Sequence, residues 1–160
     1  KIVEEINKPD SFVKGEEFEN YVRNNIFKKS GFELIHKTHD YSNNKGDYIK
    51  SSVLPDYKFL DKKNKKEFYV ECKFRNGYYN KSNKIQWCNS NQLKRYKSIN
   101  SSDCPVFIVL GFGDNGNNPH EITCFPISSV NWTGLYDSFL DKYSFDPKKS
   151  ISSNILWKLK

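Results

Sequence analysis

Residues 53–74 carry the pattern that most constrains the fold of this chain, because two short apolar runs flank a charged turn at 61–66. In the second run the apolar residues occupy every other position, namely Phe68, Val70, Cys72 and Phe74. A period of two is the pattern of a strand with one buried face. The first run can pair with the second through the turn, so the sequence predicts a β-hairpin.

The predicted hairpin brings acidic and basic side chains together. Asp56 lies in the first run, near the position that faces Glu71 in the second, and Lys73 follows two residues later on the same face. Carboxylate oxygens are hard ligands of the kind that Mg²⁺ prefers. A bound Mg²⁺ polarises a phosphate and lowers the pKa of an attacking water, and a lysine beside it can stabilise developing charge.

The pair Pro55-Asp56 followed by Glu71-Cys72-Lys73 resembles the signature of the PD-(D/E)XK nuclease superfamily, which has the restriction-endonuclease-like fold. The resemblance implies an α/β domain whose αβββαβ core has a mixed central sheet flanked by helices. It also implies an Mg²⁺-dependent endonuclease that hydrolyses DNA phosphodiester bonds and leaves a 5′-phosphate, with Mn²⁺ able to substitute. The implied metal ligands are Asp56, Glu71 and the main-chain carbonyl of Cys72, while Lys73 positions the attacking water.

A third carboxylate is expected on the first helix. An apolar stripe predicts a helix over residues 10–29, with these buried positions: Phe18, Val22 and Ile26. The segment 15–19, Gly-Glu-Glu-Phe-Glu, is similar to the first-helix motif of many superfamily members, whose glutamate faces the metal. The resemblance therefore makes Glu19 a further metal ligand and Glu16 the second choice. A solvated helix carboxylate stays the alternative.

A second helix is predicted over residues 90–98, capped by Ser90 or Asn91. Its pattern Gln92-Leu93-X-Arg95-Tyr96 resembles the helix that follows the Glu-X-Lys strand in many superfamily members. In those proteins a glutamine near the helix start reaches the active site. The resemblance therefore assigns Gln92 an assisting role at the phosphate.

The remaining elements follow from apolar runs and turn residues. The apolar run at 105–111 predicts a strand buried on both faces and parallel to its predecessor through the helix crossover. Other elements are predicted as a strand over 32–37, a loop over 40–50, a return strand over 120–127, a helix from Asn131 or Thr133 to about Tyr143, and a strand or tail over 153–159. The superfamily-like core then covers about 15–127, with a C-terminal helix and strand in 128–160.

Basic and aromatic residues alternate with polar ones in the stretch 75–89. Basic side chains contact phosphates, and aromatic faces can stack on exposed bases. The predicted nucleic-acid contacts are Arg75 and Lys84 in this stretch and Lys94 and Arg95 on the second helix. Trp87 is expected in the core, whereas Tyr78 and Tyr79 are assigned neither to base stacking nor to the core. A charged helix face is more often only solvated, which is the alternative for the helix.

The other candidate metal ligands have weaker support. His36 and His39 show no defensible ligand spacing and are interpreted as surface or edge residues. The 4 cysteines contain no Cys-X-X-Cys pair, so reduced thiols are expected in place of a zinc site or disulfides.

Composition sets the broad class. The 160 residues predict a single domain over 1–160, and the net charge of +7 fits a polyanionic partner, with DNA favoured over RNA. No apolar run reaches membrane-spanning length and no signal peptide is evident, so an intracellular, cytoplasmic protein is expected. The absence of Ala and Met, with abundant Lys and Asn, is typical of an AT-rich, bacterial genome. The start at Lys1 indicates a trimmed or partial chain.

Three alternatives stay open at this point. A catalytically inactive nucleic-acid-binding module of the same fold is disfavoured, because decay usually removes the acidic pair and the lysine first. An RNA-directed nuclease is the second alternative, since nothing in the sequence distinguishes the sugar. A plain interaction domain would be favoured only if Asp56 and Glu71 did not converge. The oligomeric state is also open, including a homodimer or a larger protein context.

Overall fold

The computed structural model describes residues 10–38, 53–76 and 84–159. The predicted loop at 40–50, together with His39, Tyr78 and Tyr79, lies outside these residues. The helices are α1 (Asp10–Tyr21), which continues as a π-helical turn (Val22–Ile26), α2 (Ser90–Ile99), α3 (Asp137–Tyr143) and α4 (Ser153–Lys158). The strands are β1 (Phe32–Lys37), β2 (Tyr57–Asp61), β3 (Lys66–Asn76), β4 (Ile85–Gln86), β5 (Val106–Gly113), β6 (Glu121–Pro126), β7 (Gly134–Leu135) and β8 (Ser144–Phe145).

Six strands form one mixed sheet in the order β1-β2-β3-β5-β6-β8, and β4 pairs with β7 in a separate ribbon. Strand β2 is antiparallel to both of its neighbours, β1 and β3, whereas β3 and β5 are parallel. The parallel pair follows from the crossover through α2, as the sequence predicts. The expected α/β class, with a mixed central sheet flanked by helices, is confirmed.

Both faces of the sheet are covered, which explains the continuous apolar run of β5. On one face, Phe107 and Val109 belong to a core cluster that also contains residues of α1 and α4. On the other face, Ile108 and Leu110 belong to a cluster with residues of α2 and α3. Trp87 is fully buried in this second cluster, so its predicted core position is confirmed.

Glycines let the first helix lie close to the sheet. A side chain at Gly111 on β5 would collide with the ring of Phe18 on α1. A side chain at Gly116, in the turn after β5, would collide with the main chain of α1 at Lys14. The close approach of α1 brings the carboxylate-bearing turn of this helix toward β2 and β3.

None of the helices in the described residues is long and apolar enough to cross a membrane.

Three predictions are wrong, namely one helix cap, one helix start and the type of the last element. The cap of α2 is Asn89, whose side chain accepts the Gln92 N–H at 2.8 Å, and not Ser90 or Asn91. The helix predicted from Asn131 or Thr133 begins only at Asp137, because the residues before it pair with β4 as β7. The stretch predicted as a final strand or tail forms α4 instead, whose cap Ser152 accepts the Ile155 N–H at 3.3 Å.

Candidate active site

The hairpin of β2 and β3 places Asp56 beside Glu71. Tyr57 pairs with Val70 in the antiparallel register, so the next position outward sets Asp56 opposite Glu71. The Asp56 N–H donates to Oε1 of Glu71 at 3.2 Å, and the Cys72 N–H donates to Oδ2 of Asp56 at 2.8 Å. Two carboxylates therefore converge where β2 begins against β3.

The end of β1 holds Asp56 in this position. The Thr38 N–H donates to the main-chain oxygen of Asp56 at 2.9 Å. The Thr38 hydroxyl donates to the main-chain oxygen of Pro55 at 2.6 Å, and Pro55 itself is buried. These contacts attach the segment before β2 to the neighbouring strand, so the position of the Asp56 side chain is set by main-chain contacts on both sides.

Lys73 and Tyr96 share one oxygen of Glu71. The Lys73 ammonium lies 3.3 Å from Oε2 of Glu71, and the Tyr96 hydroxyl donates to the same oxygen at 2.8 Å. The ammonium also lies 5.7 Å from the centre of the Tyr96 ring. Because Glu71 is only 8% exposed, this carboxylate keeps its orientation through buried partners.

The sequence includes Tyr96 only as the last residue of the helix pattern that resembles the superfamily motif and assigns it no role at the site. The signal for a role at the site is its position one helical turn after Gln92, in the pattern that resembles the superfamily helix. The structure adds a second function for this side chain, because its hydroxyl reaches across the sheet face to Glu71. Burial, followed by the charge of Glu71, raises the pKa of the Tyr96 hydroxyl, so it stays protonated and remains a donor.

Negative charge accumulates around Asp56. Burial raises the pKa of the Asp56 carboxyl well above its usual range, and the charges of Glu71 and Glu19 raise it further. The Cys72 N–H and the charge of Lys73 oppose this rise only in part. Helix α1 supplies Glu19 to the group, and the Tyr57 hydroxyl holds the helix there by donating to the Glu19 main-chain oxygen at 2.9 Å. The pKa of the partly buried Cys72 thiol is raised by burial and by the same carboxylates.

The chemistry of these donors fits Mg²⁺. Carboxylate oxygens from Asp56, Glu71 and Glu19 and the main-chain carbonyl of Cys72 are the hard donors that this ion prefers. The mutual repulsion that raises the Asp56 pKa is what a divalent cation would relieve. Within residues 10–38, 53–76 and 84–159, no group of three or more His, Cys, Asp or Glu side chains is arranged so that it could hold a metal ion. In the structure, the Cys72 N–H contacts the Asp56 carboxylate, and Lys73 and Tyr96 contact the Glu71 carboxylate.

Three further candidate residues have identified structural positions. Gln92 closes a capping box at the start of α2, where its side-chain oxygen accepts the Asn89 N–H at 3.0 Å. Glu16 lies half-buried on α1, about one turn before Glu19. His36 is half-buried on the edge strand β1. The structure thus brings Asp56, Glu71 and Lys73 into contact, whereas Glu19 is linked to them through the effect of its charge on the Asp56 pKa, and Gln92 belongs to a helix cap. All four cysteines have free thiols.

The predicted nucleic-acid contacts divide into two groups. Lys84 and Lys94 are exposed. The guanidinium of Arg75 turns inward and donates to the main-chain oxygen of Trp87 at 2.7 Å, and burial lowers its pKa. The guanidinium of Arg95 lies 5.5 Å from the centre of the Tyr96 ring. Of the four predicted contacts, only the two lysines are therefore exposed.

The chain matches no family model, no curated protein and no solved structure. The function of the Asp56–Glu71–Lys73 group is therefore inferred from the contacts and charges of its own residues.

Proposed function

We propose that this chain is an Mg²⁺-dependent nuclease of the PD-(D/E)XK type that hydrolyses phosphodiester bonds of DNA, acting as an endonuclease. One observation carries the proposal, namely the convergence of Asp56, Glu71 and Lys73 at the junction of β2 and β3. The Asp56 N–H lies 3.2 Å from Glu71 Oε1, and the Lys73 ammonium lies 3.3 Å from Glu71 Oε2. The order α1, β1, β2, β3, α2, β5 supports an αβββαβ core.

The carboxylates and the lysine have different tasks in this proposal. Asp56, Glu71 and the Cys72 carbonyl would hold Mg²⁺, with Glu19 as a further ligand. The bound ion supplies a Lewis acid for the phosphate and a water of lowered pKa. The Lys73 side chain is 15% exposed. Its ammonium would donate a hydrogen bond to the attacking water and stabilise the negative charge that builds on the phosphate oxygens.

Tyr96 acts through Glu71 in this scheme. Its hydroxyl and the Lys73 ammonium both contact Oε2, so the Glu71 carboxylate cannot rotate without losing two charge-assisted contacts. A fixed carboxylate orientation matters because a ligand or a lysine that is displaced by about 1 Å loses much of its effect on the reacting atoms. Tyr96 is therefore a positioning residue.

One observation favours a second candidate, a catalytically inactive nucleic-acid-binding module of the same fold. Oxygens of both carboxylates are already in contact with donors from the chain, namely the Cys72 N–H on Asp56 and Lys73 and Tyr96 on Glu71. A module of this kind would retain the net charge of +7 and the affinity for phosphates without cleavage. An RNA-directed nuclease is a variant of the first candidate and is separated from it by substrate alone.

The test is incubation of the chain with supercoiled plasmid, single-stranded DNA and RNA, each with Mg²⁺, Mn²⁺ or EDTA. We expect DNA cleavage that EDTA abolishes. Lys73→Ala should lower the single-turnover rate about a hundred- to a thousand-fold, as the loss of one preorganised electrostatic contact does. Asp56→Ala should lose the metal as well as cleavage.

Lys58 provides a matched control on the same hairpin. Its ammonium lies 3.3 Å from Glu67 Oε1 and 5.3 Å from the Tyr69 ring centre, so Lys58→Ala removes an ion pair and a ring contact of similar geometry. We expect this variant to cut within a few-fold of the unmodified rate. A Lys73→Ala protein that cuts as fast as Lys58→Ala, or a wild-type chain that cuts none of the substrates with either metal, would contradict the proposal.

A further inference from the structure

Two aromatic side chains project from the surface beside the second core cluster. Trp132 is 75% exposed and Tyr136 is 61% exposed, on either side of the short strand β7. Scattered apolar residues are ordinary on protein surfaces, but Trp and Tyr are the large amphipathic side chains that are enriched at interfaces. We call Trp132 and Tyr136 the aromatic platform.

The main chain beneath the platform is held in place. The indole N–H of the buried Trp87 donates to the main-chain oxygen of Trp132 at 3.0 Å, and the Trp87 main-chain N–H donates to Thr133 at 2.9 Å. The next residues pair with β4, and Leu135 is buried. The two rings are therefore displayed from a backbone that is anchored in the core, which lowers the entropy cost of binding to them.

Cations border the platform. The stem of Lys84 lies across Gly134, where an added Cβ would come within 2.7 Å of it, and its ammonium lies 5.7 Å from the Tyr136 ring centre. The ammonium of Lys97 donates to the Asn131 side chain at 3.2 Å. Residues 127–136 contain no Asp or Glu, and the first carboxylate after them is Asp137 at the start of α3. Exposed aromatic faces beside cations are the combination with which proteins bind single-stranded nucleic acid.

Trp87 and Tyr96 link the platform to the candidate active site. Arg75, two residues after Lys73 on β3, donates to the main-chain oxygen of Trp87 at 2.7 Å. The Trp87 ring stacks on Tyr96, with ring centres 6.1 Å apart, and Tyr96 contacts Glu71. The platform and the acidic pair therefore share one face of the sheet and one set of supporting residues.

We propose that the aromatic platform stacks on unpaired bases of a single-stranded DNA segment next to the cleavage position, with Lys84 and Lys97 contacting its phosphates. The choice of nucleic acid as the occupant rests on the proposed function and on the cationic border. The bases of an intact duplex are stacked on one another and cannot cover the two rings. The platform thus names the substrate class of the nuclease as DNA with unpaired nucleotides.

The binding test needs no cleavage, because EDTA is present throughout. Fluorescence anisotropy measures the affinity for a labelled 20-nucleotide oligo-dT and for a 20-base-pair duplex. Trp132→Ala should raise the Kd for oligo-dT about 5- to 100-fold, which corresponds to the loss of one base–ring stack, while the Kd for the duplex changes by less than about two-fold. The Kd of Trp132→Phe for oligo-dT should lie between those of the wild-type chain and Trp132→Ala, because a smaller ring remains for stacking. Ile155→Ala, which truncates another exposed apolar residue on α4, is the matched control and should leave both affinities unchanged.

A second readout follows the ring itself. Oligo-dT should quench the tryptophan fluorescence of the wild-type chain, and Trp132→Phe should lose this quenching, because Trp87 is buried and Trp157 lies on α4. Unchanged oligo-dT affinity in Trp132→Ala, an equal loss for duplex, or no binding of oligo-dT by the wild-type chain would overturn the platform. Binding that depends on Trp132 without any cleavage supports the platform and rejects the nuclease. Cleavage of single strands that is indifferent to Trp132 rejects the platform alone.

Discussion

Two aspartates at opposite ends of β2 should respond to the same substitution with opposite signs. Asp56 precedes the strand and lies among carboxylates, whereas Asp61 ends the strand and lies among donors. Replacing either with Asn keeps the shape of the side chain and removes its charge. We expect Asp61→Asn to destabilise the fold and Asp56→Asn to stabilise it, both measured without metal.

The cost at Asp61 follows from its four hydrogen bonds. Its Oδ2 accepts from Ser153 at 2.6 Å, from Trp157 at 2.7 Å and from Asn64 at 3.0 Å, and its Oδ1 accepts from the Lys63 N–H at 3.0 Å. An amide has one acceptor oxygen, so its NH₂ group must face at least one of these donors. Hydrogen bonds to charged groups contribute about 1.5–3 kcal/mol each, and we expect a loss of about 2–4 kcal/mol. For a chain of this size that lowers the Tm by about 5–15 °C.

The gain at Asp56 follows from the repulsion around it. Its ionised carboxylate is disfavoured first by burial and then by Glu71 and Glu19. Asn removes that charge and keeps an oxygen for the Cys72 N–H. Neutralising a strained functional group commonly stabilises a protein by about 0.5–2 kcal/mol, which raises the Tm by about 1–8 °C here. The same variant should lose DNA cleavage.

The pH dependence carries the same opposite signs. Burial acts to raise the pKa of Asp61, but its hydrogen bonds outweigh burial and lower it, so its stabilisation is present above about pH 4 and is lost as the pH falls through the folded-state pKa. The pKa of Asp56 is raised, so wild-type stability falls as the pH rises from about 4 through the folded-state pKa. The advantage of Asp56→Asn should therefore grow with pH over that window.

Thermal and urea unfolding of wild type and both variants at pH 4, 5.5 and 7, in EDTA, measures these differences. Asp137→Asn serves as the control. Asp137 is a partly exposed carboxylate at the start of α3, and among the described contacts it accepts only the neighbouring Ser138 N–H, at 3.0 Å. A Tm that falls to the same extent in Asp56→Asn and Asp61→Asn would refute the reasoning, since it would mean that the carboxylates around Asp56 do not repel one another.

Three further outcomes are expected. Tyr96→Phe should lower stability by about 1–2 kcal/mol in urea unfolding and slow cleavage, because Glu71 loses a buried donor; unchanged cleavage with lowered stability would make Tyr96 purely structural. Mg²⁺ at about 100 times its Kd should stabilise the wild-type chain by about 2.7 kcal/mol in thermal unfolding and should leave Asp56→Ala unchanged. DNA affinity should fall steeply with salt, and charge reversal at Lys94 and Arg95 should weaken it; affinity that is indifferent to ionic strength would argue against a nucleic-acid partner.

Local patterns were sufficient for the centre of the candidate site. The alternation along β3 and the charged turn before it predict the hairpin, and antiparallel pairing then sets Asp56 opposite Glu71. The continuous apolar run predicts β5 as a buried strand parallel to β3. The hairpin depends on neighbours within about 20 residues, and the parallel direction of β5 follows from the helix crossover before it, so the sequence contains enough information to assign them. The predicted start of α3 is wrong because the residues before it pair with β4 as β7, and the predicted strand or tail at 153–159 is wrong because this stretch forms α4, whose Leu156 packs into the core.

The sequence by itself determined the residue types of the acidic pair, the strands that carry them and the face on which Lys73 lies. Only the tertiary structure decided which side chains surround them. Tyr96 reaches Glu71 from 25 positions away, and Trp157 reaches Asp61 from 96 positions away. The exposure of Trp132 likewise depends on the anchoring of β7 by a distant tryptophan. Such contacts arise from how helices pack across a sheet, and no local period in the chain records that packing.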